Sequence, residues 1–200
     1  AHYARYGLEP IPDASVDAAL AQALGKLDGP LLVGVINSIA MRGKAESVDN
    51  LNKLLGNSDA QVAAAAASAL GRIHTPDAVA ALTKALHSAT SQRPAMAAAC
   101  LTAGDMLLSD GKKVEAAAVY DAVRAAKLPK HMQLAGTYGA IRARGAKGLP
   151  LLMECLGSDD KLLFRVGLRM AQELPGKEVT QALLGILPKL SVKSDAETPY

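Results

Sequence analysis

Apolar residues recur along the chain at the spacing of one helix face. In the stretch LGRIHTPDAVAALTKAL, positions three, four and seven apart are apolar, and such positions lie on the same side of a helix. The residues are Val79, Leu82, Ala85 and Leu86. Copies of the pattern are Val48, Leu51, Leu54 and Leu55; Leu149, Leu152, Cys155 and Leu156; and, less regularly, Val179, Ala182, Gly185 and Ile186. In the last copy we expect the core contacts to shift to Leu183 and Leu187.

A second apolar helix pattern precedes each of these copies, so the repeating unit is predicted to be a helix, a short turn and a helix. Units that recur every 30 to 35 residues are typical of helical solenoids, in which each unit buries its apolar face against its neighbours. The preceding patterns are Leu31, Leu32, Val35, Ile36 and Ile39; Val62, Ala66, Ala69, Leu70 and Ile73; Leu134, Tyr138 and Ile141; and Leu162, Leu163, Val166 and Met170.

Capping residues mark the predicted helix starts. Thr75 supplies an N-cap hydroxyl and Pro76 follows at the first helical position, where its missing N–H group has no cost. Ser58 and Gln61 have the spacing of a capping box, and residues 158–160, Ser-Asp-Asp, begin the equivalent helix two units later. The turns therefore fall where the repeat requires them.

Glycines divide into two predicted roles. Gly56 and Gly157 directly follow apolar helices, which predicts left-handed C-caps. Gly25, Gly71 and Gly104 lie inside helical patterns, where we expect them to allow close helix packing.

The quoted motifs resemble known repeat families. The stretch SDAQVAAAAASALGRIHTPDAVAALTKAL resembles the HEAT-like repeats of bacterial proteins, with Ala63 where an arginine usually follows valine. The resemblance extends over about residues 28–190. The middle unit, AACLTAGDMLLSDGKKVEAAAVYDAVRAAKLP, looks like a divergent tetratricopeptide hairpin, from which Val123 and Pro129 depart. The resemblance implies no catalytic signature.

The predicted fold is all-α, an alpha-alpha superhelix formed as a right-handed solenoid of about five HEAT-like hairpins. Residues 1–190 are predicted to form one repeat domain, and residues 191–200 a tail. The expected units are a partial first repeat at 1–27 and full repeats at 28–57, 58–90, 91–128, 129–157 and 158–190. The start of the chain looks like the end of a repeat, so we expect a fragment of a larger protein.

Composition narrows the function classes. Half of the residues are hydrophobic but only 3% are aromatic, so the core must be built from Ala and Leu. A net charge of +3 with interspersed acids demands no polyanionic partner. Cys100 and Cys155 occupy apolar positions and are predicted to be buried free thiols. No apolar run is long enough to predict membrane insertion.

One basic cluster is the candidate site. Its members fall in two adjacent units. The interpretation without a binding function is a solvated or acid-paired surface. The alternative is a site for an anionic ligand or an acidic partner. Nucleic acid is disfavoured because no aromatic residues interleave with the cations. No metal or cofactor site is predicted, since the four histidines lack ligand spacing. The cluster comprises Arg142, Arg144, Lys147, Arg165 and Arg169.

The sequence and the resemblance leave three alternative functions open. The preferred one is a non-enzymatic scaffold that binds another protein or a neighbouring domain of a larger chain. The resemblance also admits a lyase or isomerase of the bilin-attachment type, for which Tyr138 or Tyr120 would be the tyrosine candidates. The third is binding of an anionic ligand or nucleic acid through the arginine cluster. The resemblance further implies a bacterial protein of the envelope or the secreted fraction.

Overall fold

The computed structural model describes residues 2–88 and 91–185, and eleven helices with complete bounds lie within these ranges. A further helical stretch covers residues 177–185. The helices are α1 (His2–Leu8), α2 (Ala14–Leu24), α3 (Gly29–Arg42), α4 (Val48–Leu54), α5 (Ala60–Ile73), α6 (Pro76–Ser88), α7 (Arg93–Ser109), α8 (Lys113–Ala125), α9 (Lys130–Arg144), α10 (Leu149–Gly157) and α11 (Lys161–Glu173).

The helices stack in two layers. Helices α1, α3, α5, α7, α9 and α11 contact one another in that order, and we call them the odd layer. Helices α2, α4, α6, α8 and α10 form the even layer, in which α6 contacts both α4 and α8. Each odd-layer helix from α3 to α11 also packs against an even-layer neighbour in sequence. The all-α helical solenoid predicted from the repeats is therefore confirmed.

The stacked hairpins bury most residues of the predicted apolar patterns. Leu51, Leu82, Leu86 and Leu152 are fully buried. Both apolar clusters include residues of α9, and Leu151 of α10 packs against both clusters. Two expected core residues, Leu31 and Leu162, are instead 56% and 46% exposed. Both lie in the first turn of their helix, where a neighbouring residue faces the core instead. Gly185 is exposed as well, and Ile186 and Leu187 fall outside the described residues.

The helix starts largely follow the predicted capping chemistry. The Thr75 hydroxyl accepts a hydrogen bond from the backbone N–H of Ala78 at 3.3 Å. Asp160 caps α11 by accepting from the N–H groups of Leu162 and Leu163. The predicted Ser58 capping box is wrong by one residue, because the Asp59 carboxylate accepts from the Gln61 N–H at 2.8 Å.

Of the five glycine predictions, three are wrong and two are confirmed. Gly56 and Gly157 do not adopt the left-handed conformation; Gly43 and His74 do so instead at the ends of α3 and α5. Gly71 allows close packing, since an added Cβ would lie 2.6 Å from the Ala99 carbonyl oxygen. Gly104 does the same, since an added Cβ would lie 2.7 Å from the Tyr120 ring. Gly25 is not an interior packing glycine, because it caps the end of α2.

A buried arginine joins the first two hairpins. The Arg42 side chain, only 4% exposed, donates to the carbonyl oxygens of Glu9 and Asp13 at 3.1 and 3.2 Å. It also donates to the Asp17 carboxylate, with the guanidinium Nη2 atom 2.8 Å from Oδ2. Arg42 therefore ties the loop between α1 and α2 to the end of α3.

Candidate binding groove on the odd layer

An open groove of about 660 Å³ crosses the outer surface of α7, α9 and α11. Its floor contains the apolar side chains of Leu101, Leu134 and Val166. Since the three helices succeed one another in the odd layer, the groove runs across the direction of the helices. We call it the arginine groove, and it is lined by Arg142, Arg165, Arg169, Tyr138, Tyr120 and Asp105 together with the floor residues.

Three arginines of the predicted cluster line this groove. Arg165 and Arg169 stand one turn apart on α11, and Arg142 lies in the last turn of α9. Arg142 Nη1 is 3.9 Å from Asp105 Oδ1, and both side chains are more than half exposed, so this ion pair is weak. Arg165 is exposed and has no ion pair with any residue in 2–88 or 91–185.

Arg169 takes part in a three-residue contact at the edge of the groove. Its Nε atom donates to Glu173 Oε1 at 3.1 Å, and its guanidinium carbon lies 4.8 Å from the centre of the Tyr138 ring. The Tyr138 hydroxyl donates to Glu173 Oε2 at 2.6 Å. This hydrogen bond is the main cause of the raised pKa of Tyr138, and it also lowers the pKa of Glu173.

Tyr120 forms the inner wall of the groove. Its ring lies between α7 and α9, and a Cβ on Gly104 would come within 2.7 Å of it. The hydroxyl donates to Asp105 Oδ1 at 2.6 Å. Burial, with this hydrogen bond second, raises the pKa of Tyr120 well above its usual value. Both groove tyrosines are therefore protonated donors at neutral pH, and neither is prepared to act as a base.

The other two residues of the predicted cluster lie elsewhere. Arg144 turns toward α8, where its guanidinium pairs with Asp121, and it also donates to the Ala140 carbonyl. Lys147 is exposed in the short 3-10 turn Gly145–Gly148. Arg142 and Arg144 separate because positions two apart on a helix are rotated by about 200° around its axis and therefore face nearly opposite sides. The sequence cluster is thus divided between two surfaces.

Two further grooves lie on the protein, one on the odd layer and one on the even layer. The first, of about 490 Å³, lies on the odd layer and is lined by Tyr6, Met41 and Arg72 among others from α1, α3 and α5. Arg72 is exposed there and has no ion pair among the described residues; its guanidinium contacts the Met41 sulfur at 3.4 Å. The second, of about 690 Å³, lies between α4 and α6 and includes Asp49, Asp77 and Lys84.

Within residues 2–88 and 91–185, no three His, Cys, Asp or Glu side chains come together as a metal site would require. Among the helices that the structure describes, none combines the length and the apolar character needed to cross a bilayer.

Comparison with known proteins shows which family of helical repeats the chain is similar to. Residues 8–102 match the family model described as HEAT repeats. A search of curated proteins finds no significant match. The matched residues cover the stacked hairpins from α2 through most of α7, and the same stacking continues to α11. The match supports a HEAT-like helical-repeat family over residues 8–102, a little under half of the 200-residue chain.

Proposed function

We propose that this chain is a non-enzymatic protein-binding scaffold whose arginine groove contacts another protein or a neighbouring domain of a larger chain. HEAT repeats commonly serve as protein-interaction scaffolds. The observation that carries the proposal is a single open groove that spans three successive helices and combines an apolar floor with exposed guanidinium groups. Such a surface offers both hydrophobic burial and directional polar contacts.

The arginine groove is preorganised for binding a partner. The lining side chains project from three packed helices, so little backbone order is lost when a partner binds. The Tyr138 and Arg169 side chains are held in place by their shared contacts with Glu173. Arginine and tyrosine are also the residue types most enriched where binding energy concentrates at protein interfaces.

The groove chemistry favours a scaffold over the lyase or isomerase alternative. A catalytic tyrosine acting as a base would need a lowered pKa, whereas the pKa values of Tyr120 and Tyr138 are both raised. Each phenol also donates its proton to a carboxylate within the fold, at Asp105 and Glu173 respectively. The two side chains therefore serve the shape of the groove.

A groove-filling substitution tests the proposal. Ala135 is exposed on α9 and lines the groove, so Ala135→Trp would occupy the space that a partner needs. Ala118 is exposed on α8 in the even layer, and Ala118→Trp is the matched control. The probe is a displayed library of random peptides of about 12 residues, a length that spans several helices.

We expect the unmodified protein and Ala118→Trp to enrich the same peptides, and Ala135→Trp to lose them. Equal enrichment by all three proteins would show that peptides bind outside the groove. Failure of the unmodified protein to enrich any peptide above background would also refute the proposal.

A further inference from the structure

Charge is distributed unequally between the two layers. The six odd-layer helices, which are α1, α3, α5, α7, α9 and α11, carry ten Arg or Lys residues and only two acids, Asp105 and Glu173. The five even-layer helices carry four Arg or Lys residues and six acids. The odd-layer helices thus have a formal charge of +8 and the even-layer helices −2, in a chain of net charge +3.

Part of this positive charge is engaged inside the fold. Three cations of the odd-layer helices pair with acids on the loops or the even layer. They therefore leave the outer surface of the odd layer to other side chains. The pairs are Arg42 with Asp17, Lys130 with Asp160, and Arg144 with Asp121.

Four exposed arginines remain on the grooves of the odd layer. Arg142 and Arg169 have acidic neighbours but stay more than half exposed. Arg72 and Arg165 are exposed and form no ion pair with the described residues. An arginine without a partner on a groove wall can bind a carboxylate in two-pronged fashion without first breaking an existing pair.

We propose that the outer surface of the odd layer binds an extended acidic segment of a partner protein, which runs from Arg165 in the arginine groove to Arg72 on α5. This inference rests on the proposed scaffold function and specifies the chemistry of the partner. Carboxylates of the segment would meet Arg165, Arg142 and Arg72, and its apolar side chains would cover Leu101 and Leu134 on the groove floor.

The distance sets the length of the segment. Arg72 lies on α5 and Arg165 on α11, three odd-layer steps apart. Packed helices are separated by about 8 to 10 Å, so the path is roughly 25 to 30 Å. An extended peptide advances about 3.3 Å per residue, and about eight or nine residues are therefore enough.

A protein segment fits this surface better than a nucleic acid does. Single strands bind through aromatic faces on which their bases stack. In the arginine groove the Tyr138 ring is covered by the Arg169 guanidinium, and the Tyr120 ring is buried between helices. The groove therefore offers cations and an apolar floor, neither tyrosine ring presents an open face, and His131 is the other aromatic side chain in its lining.

The test compares two peptides of about 12 residues that differ only in charge. One carries glutamates alternating with leucine and serine, and the other carries glutamine at every glutamate position. A third peptide of about four residues is a fragment of the acidic one, too short to span from α11 to α5. Fluorescence anisotropy reports binding to the unmodified chain at about 50 mM and about 200 mM salt.

Charge reversals locate the contacts. Arg165→Glu should weaken binding of both acidic peptides about 3- to 10-fold, while Arg72→Glu should weaken only the longer one. Lys84→Glu makes the same charge change on the even layer and should leave both affinities unchanged. Circular dichroism confirms that each variant is folded, which is expected because all three side chains are exposed.

Several results would overturn the inference. Equal affinity for the glutamate and glutamine peptides would remove its charge basis while leaving the scaffold function intact. Single-stranded DNA that binds more tightly than the acidic peptide, and loses affinity in Arg165→Glu, would assign the surface to nucleic acid. Sedimentation of the unmodified chain as a dimer that Arg165→Glu dissociates would assign it to a second copy.

Discussion

The ring of Tyr120 lies directly on the backbone of Gly139. A Cβ at Gly139 would overlap the ring, and Gly104 restricts the ring from the α7 side. Tyr120 is fully buried, so it has no room to move away. This packing brings α7, α8 and α9 together at the inner wall of the arginine groove.

Gly139→Ala should therefore destabilise the protein. Overpacking of a filled core typically costs about 1 to 3 kcal/mol, although the better helix propensity of alanine offsets up to about 1 kcal/mol of it. Gly56→Ala is the control, because nothing lies within 4 Å of a Cβ there. Urea unfolding of both variants checks the prediction, and a Gly139→Ala protein as stable as the control would contradict the packing described.

Leu82 is predicted to be a core residue of the α5–α6 hairpin, and it is fully buried. Leu82→Ala should lower the free energy of unfolding by about 2 to 5 kcal/mol, since it removes apolar contacts and leaves a cavity. Lys84→Ala, two positions away on the exposed face, should change it by less than about 0.5 kcal/mol. Similar losses in the two variants would refute the orientation of α6.

The two cysteines should resist labelling in the native state. Burial raises the pKa of the Cys100 thiol to about 12, and it also raises the pKa of Cys155. At pH 8 the reactive thiolate is therefore scarce at both positions, in addition to being shielded. A thiol reagent should modify neither residue in the folded protein and both after denaturation, as followed by mass spectrometry. Rapid native labelling of Cys155 would contradict its place in the core.

Arg42→Ala should loosen the N-terminal hairpin selectively. The substitution removes the donors that hold the loop carbonyls of Glu9 and Asp13, and it also removes the partner of Asp17. Amide hydrogen exchange should become faster in α2 and remain unchanged in α9. Arg72→Ala, which removes an exposed guanidinium, serves as the comparison. Uniform acceleration across the chain would indicate that Arg42 supports global stability instead.

The sequence predicted the helices because burial repeats with the period of the hairpin. Val48, Leu51 and Leu82 were identified on this basis and are buried. Spacing alone does not separate the core face from its border, so it predicts Leu31 and Leu162 in the core although both are exposed. The division of residues 1–190 into repeats remains a prediction.

The candidate groove was only partly visible in the sequence. Proximity along the chain identifies Arg142, Arg165 and Arg169, but it also groups Arg144 with them although Arg144 faces another surface. The contact between Tyr138 and Glu173 was missed, since the two residues are 35 positions apart. That separation equals one repeat, so pairing residues one period apart would have suggested it.

The most direct test of the scaffold account is to map where a peptide binds. Hydrogen exchange of the unmodified chain, with and without the acidic peptide of about 12 residues at saturation, shows which helices become protected. The account predicts slower exchange in α5, α7, α9 and α11, with no change in α4 and α6. Protection confined to α4 and α6, or no protection anywhere, would contradict the claim that the odd layer is the binding surface.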